Sequence, residues 1–203
     1  MALGARARAF VAVNLPAQVC AHVGAAQARL KGLGADVKWV APDTFHFTLK
    51  FLGEVDRANL DSIAQALQSA LDGAEAFRVS LRGLGAFPNA GRPRVIWVGL
   101  QEGREQLHEL AERVESALVP LGFERETRPF GGHLTLGRVR SPQGAQRLAE
   151  ALAEPPQQAL GSMCVERVAL MESELRREGA RYTALREFAL EAAKEAARAC
   201  ASG

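Results

Sequence analysis

Three observations on this chain predict an α+β fold in two lobes, pseudo-duplicated, with antiparallel sheets facing a central cleft and helices on the outside. Apolar runs with the period-two alternation of half-buried strands are interleaved with segments of helical period. The tetrapeptide pattern His-x-Thr-Leu occurs twice, as His46-Phe47-Thr48-Leu49 and as His133-Leu134-Thr135-Leu136, each inside a strand-like run. The copies lie 133 − 46 = 87 positions apart, and each motif strand stands directly before a helix, which suggests an internal duplication. Two similar lobes facing one another would bring the motifs together.

The elements follow in order. A strand at Phe10–Leu15 leads into a helix from about Ala17 to Leu33, opened by Pro16 and closed at Gly32 and Gly34. Val37–Val40, a Pro42-Asp43 turn and the first motif strand, Phe45–Leu52, come next. A helix is expected over Asp56–Leu71, where Leu60, Ile63, Ala64, Leu67 and Leu71 form an apolar stripe for core packing. Strands at Phe77–Leu84 and Val95–Leu100 flank a Pro- and Gly-rich loop. A third helix, Arg104–Leu121, ends at Gly122 before the extended stretch Phe123–Phe130 and the second motif strand, His133–Val139. A short helix near Gln143–Leu152, a Pro155-Pro156 break and two long strands, Met163–Leu175 and Tyr182–Leu190, complete one bilobal domain over residues 1–190. The Ala-rich stretch 191–203 reads as a tail without function.

Composition narrows the function. The net charge of +2 and a pI near 8.6 do not suit a large non-specific DNA-binding surface, yet an anionic substrate is not repelled. The start of the chain runs straight into a strand, with no apolar segment long enough for a signal peptide or a membrane span, so a soluble cytoplasmic protein without membrane association is expected. Three cysteines, odd in number and without metal-ligand spacing, are expected to be reduced and structural.

Chance placement of four His and five Thr would give about 4 × 5/203, roughly 0.1, His-x-Thr pairs, so two copies followed by Leu are not accidental. Strand side chains alternate, so His46 and Thr48 share one face, as do His133 and Thr135, while Phe47, Leu49, Leu134 and Leu136 face the core. Two imidazoles with ordinary pKa near 6.5 suit paired proton transfer, one as base and one as acid, on opposite sides of a phosphorus undergoing in-line displacement. The threonine hydroxyls can donate to the non-bridging phosphoryl oxygens without a metal. A lone His-x-Thr would more often be structural; duplication reverses that weighting. A metal site is the sharper competitor, but two His without Asp, Glu or Cys on the same faces make a poor ligand set, and no metal or other cofactor is expected. His22 and His108, on helices, receive no role. By alternation Lys50 shares the face of His46, while Arg138 falls on the other face unless Gly137 permits a bulge. Arg128 and Phe130, upstream of the second motif, are open candidates for phosphate contact and base stacking, the latter against core packing.

The run Val37-Lys38-Trp39-Val40-Ala41-Pro42-Asp43-Thr44-Phe45-His46-Phe47-Thr48-Leu49-Lys50-Phe51-Leu52-Gly53-Glu54-Val55 resembles the first motif of the two-histidine (2H) phosphoesterases, within them the RNA 2′,3′-cyclic phosphodiesterases historically called 2′-5′ RNA ligases. Gly85-Ala86-Phe87-Pro88, Arg92–Gly99 and His133–Val139 resemble further blocks, and the similarity extends from Phe10 to Leu190. One departure is visible: the family commonly places Pro before the second motif His, where this chain has Gly131-Gly132. The resemblance implies hydrolysis of a 2′,3′-cyclic phosphate on RNA ends or nucleotides to a 2′-phosphate. It implies His46 and His133 as the catalytic pair, with His46 the proton donor to the leaving 3′ oxygen and His133 the base, and Thr48 and Thr135 as substrate-binding residues. It also implies possible ATP-independent 2′-5′ ligation of a cyclic phosphate to a 5′-hydroxyl. Neither an obligate protein partner nor an oligomer is expected. The alternatives are a phosphodiesterase for another cyclic phosphate and a non-catalytic nucleotide-binding module.

Overall fold

The chain forms two antiparallel sheets in the computed structural model, which describes residues 5–127, 130–153, 158–176 and 179–192. The first sheet has the order β3 (His46–Asp56), β1 (Arg6–Asn14), β8 (Arg167–Arg176), β9 (Gly179–Ala189). The second has the order β2 (Val37–Trp39), β6 (Leu134–Val139), β5 (Val95–Glu102), β4 (Phe77–Phe87), β7 (Ala159–Val165). His46 thus opens β3 and His133 stands directly before β6, and each of these strands pairs with the one that opens its half, β3 with β1 and β6 with β5.

Among the described residues four helices cover the outer faces, and two of them cross over. Helix α1 (Ala17–Lys31) leaves β1 of the first sheet yet packs on β7 of the second. Helix α3 (Arg104–Leu118) leaves β5 of the second sheet yet packs on β3 of the first and on α2 (Leu60–Leu71). Helix α4 (Ala145–Ala153) lies against β4. The exchange makes the lobes share one apolar cluster, from Val11 and Phe47 through Ile63 and Leu107 to Ile96 and Leu134. The stripe on α2 packs as its spacing predicts, with Ile63, Ala64, Leu67 and Leu71 buried. Strand β1 is covered on both sides. Val11 and Val13 join the main cluster, while Phe10 and Ala12 meet Ala169, Met171 and Tyr182 on the opposite face.

Several boundaries differ from the sequence reading. The run expected as one strand over 163–175 turns at Glu166. Its first part, in β7, pairs with β4, and β8 pairs with β1 in the other sheet; the Leu190 N–H donates to the Glu166 carbonyl at 2.8 Å. The exposed, charged pair Glu166-Arg167 stands at the change of sheet, a break short enough to be read through as part of one long strand. Helix α2 starts only at Leu60, after a 3₁₀ turn over Arg57–Asn59 on which the Asp56 carboxylate accepts from the Ala58 N–H at 3.1 Å. Cys20 is a buried free thiol, but Cys164 is disulfide-bonded, against the expectation of reduced thiols; an odd count rules out complete pairing and leaves room for one bond. The expected tail at 193–203 and the candidate Arg128 lie outside the described residues. No helix among the described residues is long and apolar enough to cross a membrane.

Among the described residues three polar side chains are buried: Gln27, Lys50 and Glu115. The Lys50 ammonium is 2.5 Å from the Glu115 carboxylate and donates to the Glu124 carbonyl at 2.8 Å. Lys50→Met leaves a carboxylate buried without its cation and is expected to cost about 3–5 kcal/mol, whereas Lys50→Met with Glu115→Leu recovers most of that. Denaturant unfolding of the two variants measures the difference.

Candidate active site

The motif strands carry the same irregularity at the same place. In the β1–β3 register Lys50 lies opposite Val11 and Thr48 opposite Ala12, so Leu49 is an extra residue; in the β5–β6 register Gly137 lies opposite Ile96 and Thr135 opposite Trp97, so Leu136 is extra. A bulge puts two successive side chains on one side and reverses the alternation beyond it. Lys50, expected beside His46, therefore turns into the interior, and Phe51 faces the cleft with 64% of its surface exposed. Arg138, three positions beyond Thr135 as Phe51 is beyond Thr48, is turned to the cleft in the same way, where its charge acts on both His133 and Tyr182.

Each imidazole stands among aromatic rings. His46 lies 4.9 Å from Phe10 and meets the edge of Tyr182 at 5.1 Å, and its Nδ1 is 2.8 Å from the Thr44 carbonyl. A carbonyl only accepts, so Nδ1 carries the proton and Nε2 is left for the cleft. Burial lowers the His46 pKa below its ordinary value, partly offset by that hydrogen bond. His133 stands edge-on to Phe87 at 4.9 Å and 6.5 Å from Trp97; burial lowers its pKa, and the cations of Arg138 and Arg104 lower it further. Trp97 lies flat over Gly85, where a Cβ would come within 2.3 Å of its ring, so only glycine fits there. In the glycine pair before His133, Gly132 has φ +47°, and Arg104 donates to the Gly131 carbonyl at 3.2 Å. The departure from Pro at this point thus supplies a left-handed backbone conformation that Pro cannot adopt.

Thr48 and Thr135 are partly exposed, and neither hydroxyl has a hydrogen-bond partner among the described residues, so both donors are available to a ligand. Phe130 packs against the main cluster with its ring stacked on His108 at 6.5 Å, as its core-packing alternative required. Tyr182 and Phe51 were missed by sequence reasoning. Tyr182 is the chain's sole tyrosine and arrives from the far C-terminal strand, 136 positions after His46, so no local pattern joins the two. Burial raises its pKa, while Arg8 and Arg138 pull it down. Beside it is a pocket of about 540 Å³ lined in part by Asn14, Asp43, Thr44, Met171 and Arg181. A larger, shallower hollow on α2 and α3, lined in part by His108 and Glu112, contains no motif residue. No three His, Cys, Asp or Glu residues cluster to hold a metal among the described residues.

Comparison with known proteins agrees with this geometry. The family model for LigT like phosphoesterases matches residues 13–97 and again 98–182, one copy per motif. A Methanothermobacter thermautotrophicus protein named RNA 2′,3′-cyclic phosphodiesterase is 40% identical over 185 residues, 91% of this chain and 100% of that one. A Thermus thermophilus protein of the same name is 38% identical over 192 residues, 90% of each chain. Among solved structures, Escherichia coli LigT complexed with 3′-AMP superposes with a TM-score of 0.76 at 29% identity, over 91% of this chain and 98% of that one. A crystal structure of a Thermus thermophilus protein gives 0.75 at 32% identity with the same coverage. With two motif strands bulged alike and both halves of the sequence matched, the chain belongs to the LigT-like phosphoesterase family.

Proposed function

We propose that the protein hydrolyses the 2′,3′-cyclic phosphate of RNA ends or nucleotides to a 2′-phosphate by acid–base catalysis between His46 and His133, without a metal. The observation that carries this reading is the doubled His-x-Thr pair on bulged strands, with Arg138 near enough to act on both His133 and the Tyr182 ring that touches His46. His133 takes a proton from water as the water oxygen bonds to phosphorus, the P–O3′ bond breaks, and His46 Nε2 gives its proton to the departing 3′ oxygen. Thr48, Thr135 and Arg138 supply donors and charge for the non-bridging oxygens. The relatives' names support the substrate class. With a 5′-hydroxyl in place of water as the nucleophile, the same steps form a 2′-5′ linkage without ATP.

Incubation with adenosine 2′,3′-cyclic phosphate and identification of the product isomer tests the reading. It requires the 2′-phosphate, and the 3′-phosphate would assign the leaving group wrongly. Turnover is expected to survive excess EDTA; loss in EDTA with recovery on adding a divalent cation would make this a metal-dependent esterase.

The pH profile follows from the site. Both imidazole pKa values lie below the ordinary 6.5, mainly through burial. One histidine must be protonated and the other neutral, and the bell of kcat/KM against pH peaks midway between the pair's two values. Its maximum is therefore expected on the acid side of 6.5. Substrate anion favours imidazolium, so the kcat profile should lie at higher pH than that of kcat/KM. A kcat/KM maximum above pH 7.5 would contradict this electrostatic picture.

A further inference from the structure

Gln27, Lys50 and Glu115, the three buried polar side chains among the described residues, all stand behind the motif strands. Gln27, on α1 and 0% exposed, donates from Nε2 to the Leu136 carbonyl at 3.0 Å and to the Val40 carbonyl at 2.7 Å. The Val40 N–H reaches the same Leu136 oxygen at 2.8 Å. Leu136 is the bulged residue, the one β5 leaves unpaired, so the amide and β2's end together hold the irregular turn of the strand. The Gln27 Oε1 has no partner among the described residues. An apolar side chain of equal length would avoid burying that acceptor but would take from the Val40 carbonyl the donor that Gln27 supplies.

The other half repeats the arrangement with different chemistry. Lys50 directly follows the bulged Leu49 and is drawn inward by Glu115 on α3 and the Glu124 carbonyl. Gln27 is the eleventh residue of the helix after β1, and Glu115 the twelfth of the helix after β5. Each clamp thus comes from a helix that has crossed over to the other half's sheet.

We infer that Gln27, and Lys50 with Glu115, are positioning residues that clamp the two motif bulges and so hold in the cleft the side chains those bulges turn there, Arg138 in one half and Phe51 in the other. Without the bulge, alternation would place Gly137 on the cleft face and Arg138 away from it. For its effect on rate the inference rests on the catalytic reading above; the clamping itself does not.

Gln27→Met fills similar space and removes both donors. Amide hydrogen exchange at Gly137 and Arg138 should quicken selectively while α1 stays protected, and unchanged protection there would overturn the inference whatever the enzyme's activity. Turnover of adenosine 2′,3′-cyclic phosphate, measured well below the melting temperature, should fall about tenfold, in the range for groups that orient a functional residue. The same substitution in an Arg138→Met background should add little, because both act through one guanidinium. Equal losses in the two backgrounds, or full activity in folded Gln27→Met, would make the amide merely structural and overturn the inference. Gln27→Asn, which withdraws the amide by one methylene, serves the same comparison if the Met variant does not fold. Lys50→Met with Glu115→Leu, set against Phe51→Ala, should show the same non-additivity. Wild-type protein inert towards cyclic phosphates would instead sink the catalytic reading and leave hydrogen exchange to decide the clamp.

Discussion

Replacing either His46 or His133 with Ala is expected to lower turnover of 2′,3′-cyclic phosphates by about 10²–10⁴-fold, the usual effect of losing a positioned proton donor or acceptor. The two losses should not multiply in the double variant, because a reaction already deprived of its acid gains less from its base. Folding should survive in each. The rings around the histidines, Phe10 with Tyr182 and Phe87 with Trp97, belong to the strand framework and remain when an imidazole is removed. Steady-state rates on adenosine 2′,3′-cyclic phosphate, with far-ultraviolet circular dichroism as a check on folding, measure the effect. Near-wild-type turnover in either variant would exclude the paired mechanism.

Arg138→Ala is expected to reduce kcat/KM by roughly 10²-fold, comparable to removing one preorganised donor to a developing oxyanion. Arg138→Lys should recover only part of this, since an ammonium restores charge but not the planar fork that grips two oxygens. The substitution has a second signature. Burial is the larger cause of the lowered His133 pKa and the Arg138 cation the next, so removing the cation lets that pKa rise, and the His133 limb of the kcat/KM profile should move to higher pH. Loss of rate with no movement of either limb would place Arg138 too far from His133 for the role given to it.

The contrast between Lys50 and Arg138 shows how far the sequence could be read. The motif residues, their shared faces and the duplication all follow from local patterns: a repeated tetrapeptide, period-two alternation and like order in both halves. The bulges do not. A bulge exists only in the register between two strands, and the partners β1 and β5 lie some 35–40 positions from their motif strands, so alternation carried past Leu49 assigned Lys50 to the cleft when it faces the core. Arg138 was legible only as a condition on a bulge near Gly137, and the bulge falls one residue earlier, at Leu136. Tyr182 joined the site through the pairing of β8 with β1, which could not be foreseen while 163–175 read as one strand. In each case the missing information was long-range pairing rather than residue chemistry.

The division of labour between the two imidazoles is tested most directly with a nucleoside 2′,3′-cyclic phosphate whose bridging 3′ oxygen is replaced by sulfur. A departing thiolate needs little protonation, so the loss caused by removing the general acid should shrink on this substrate, while the need to activate water is unchanged. The expected result is that His46→Ala regains most of its lost rate relative to wild type and His133→Ala does not. Selective rescue of His133→Ala would reverse the two roles, and rescue of neither variant would contradict general-acid assistance to the leaving group.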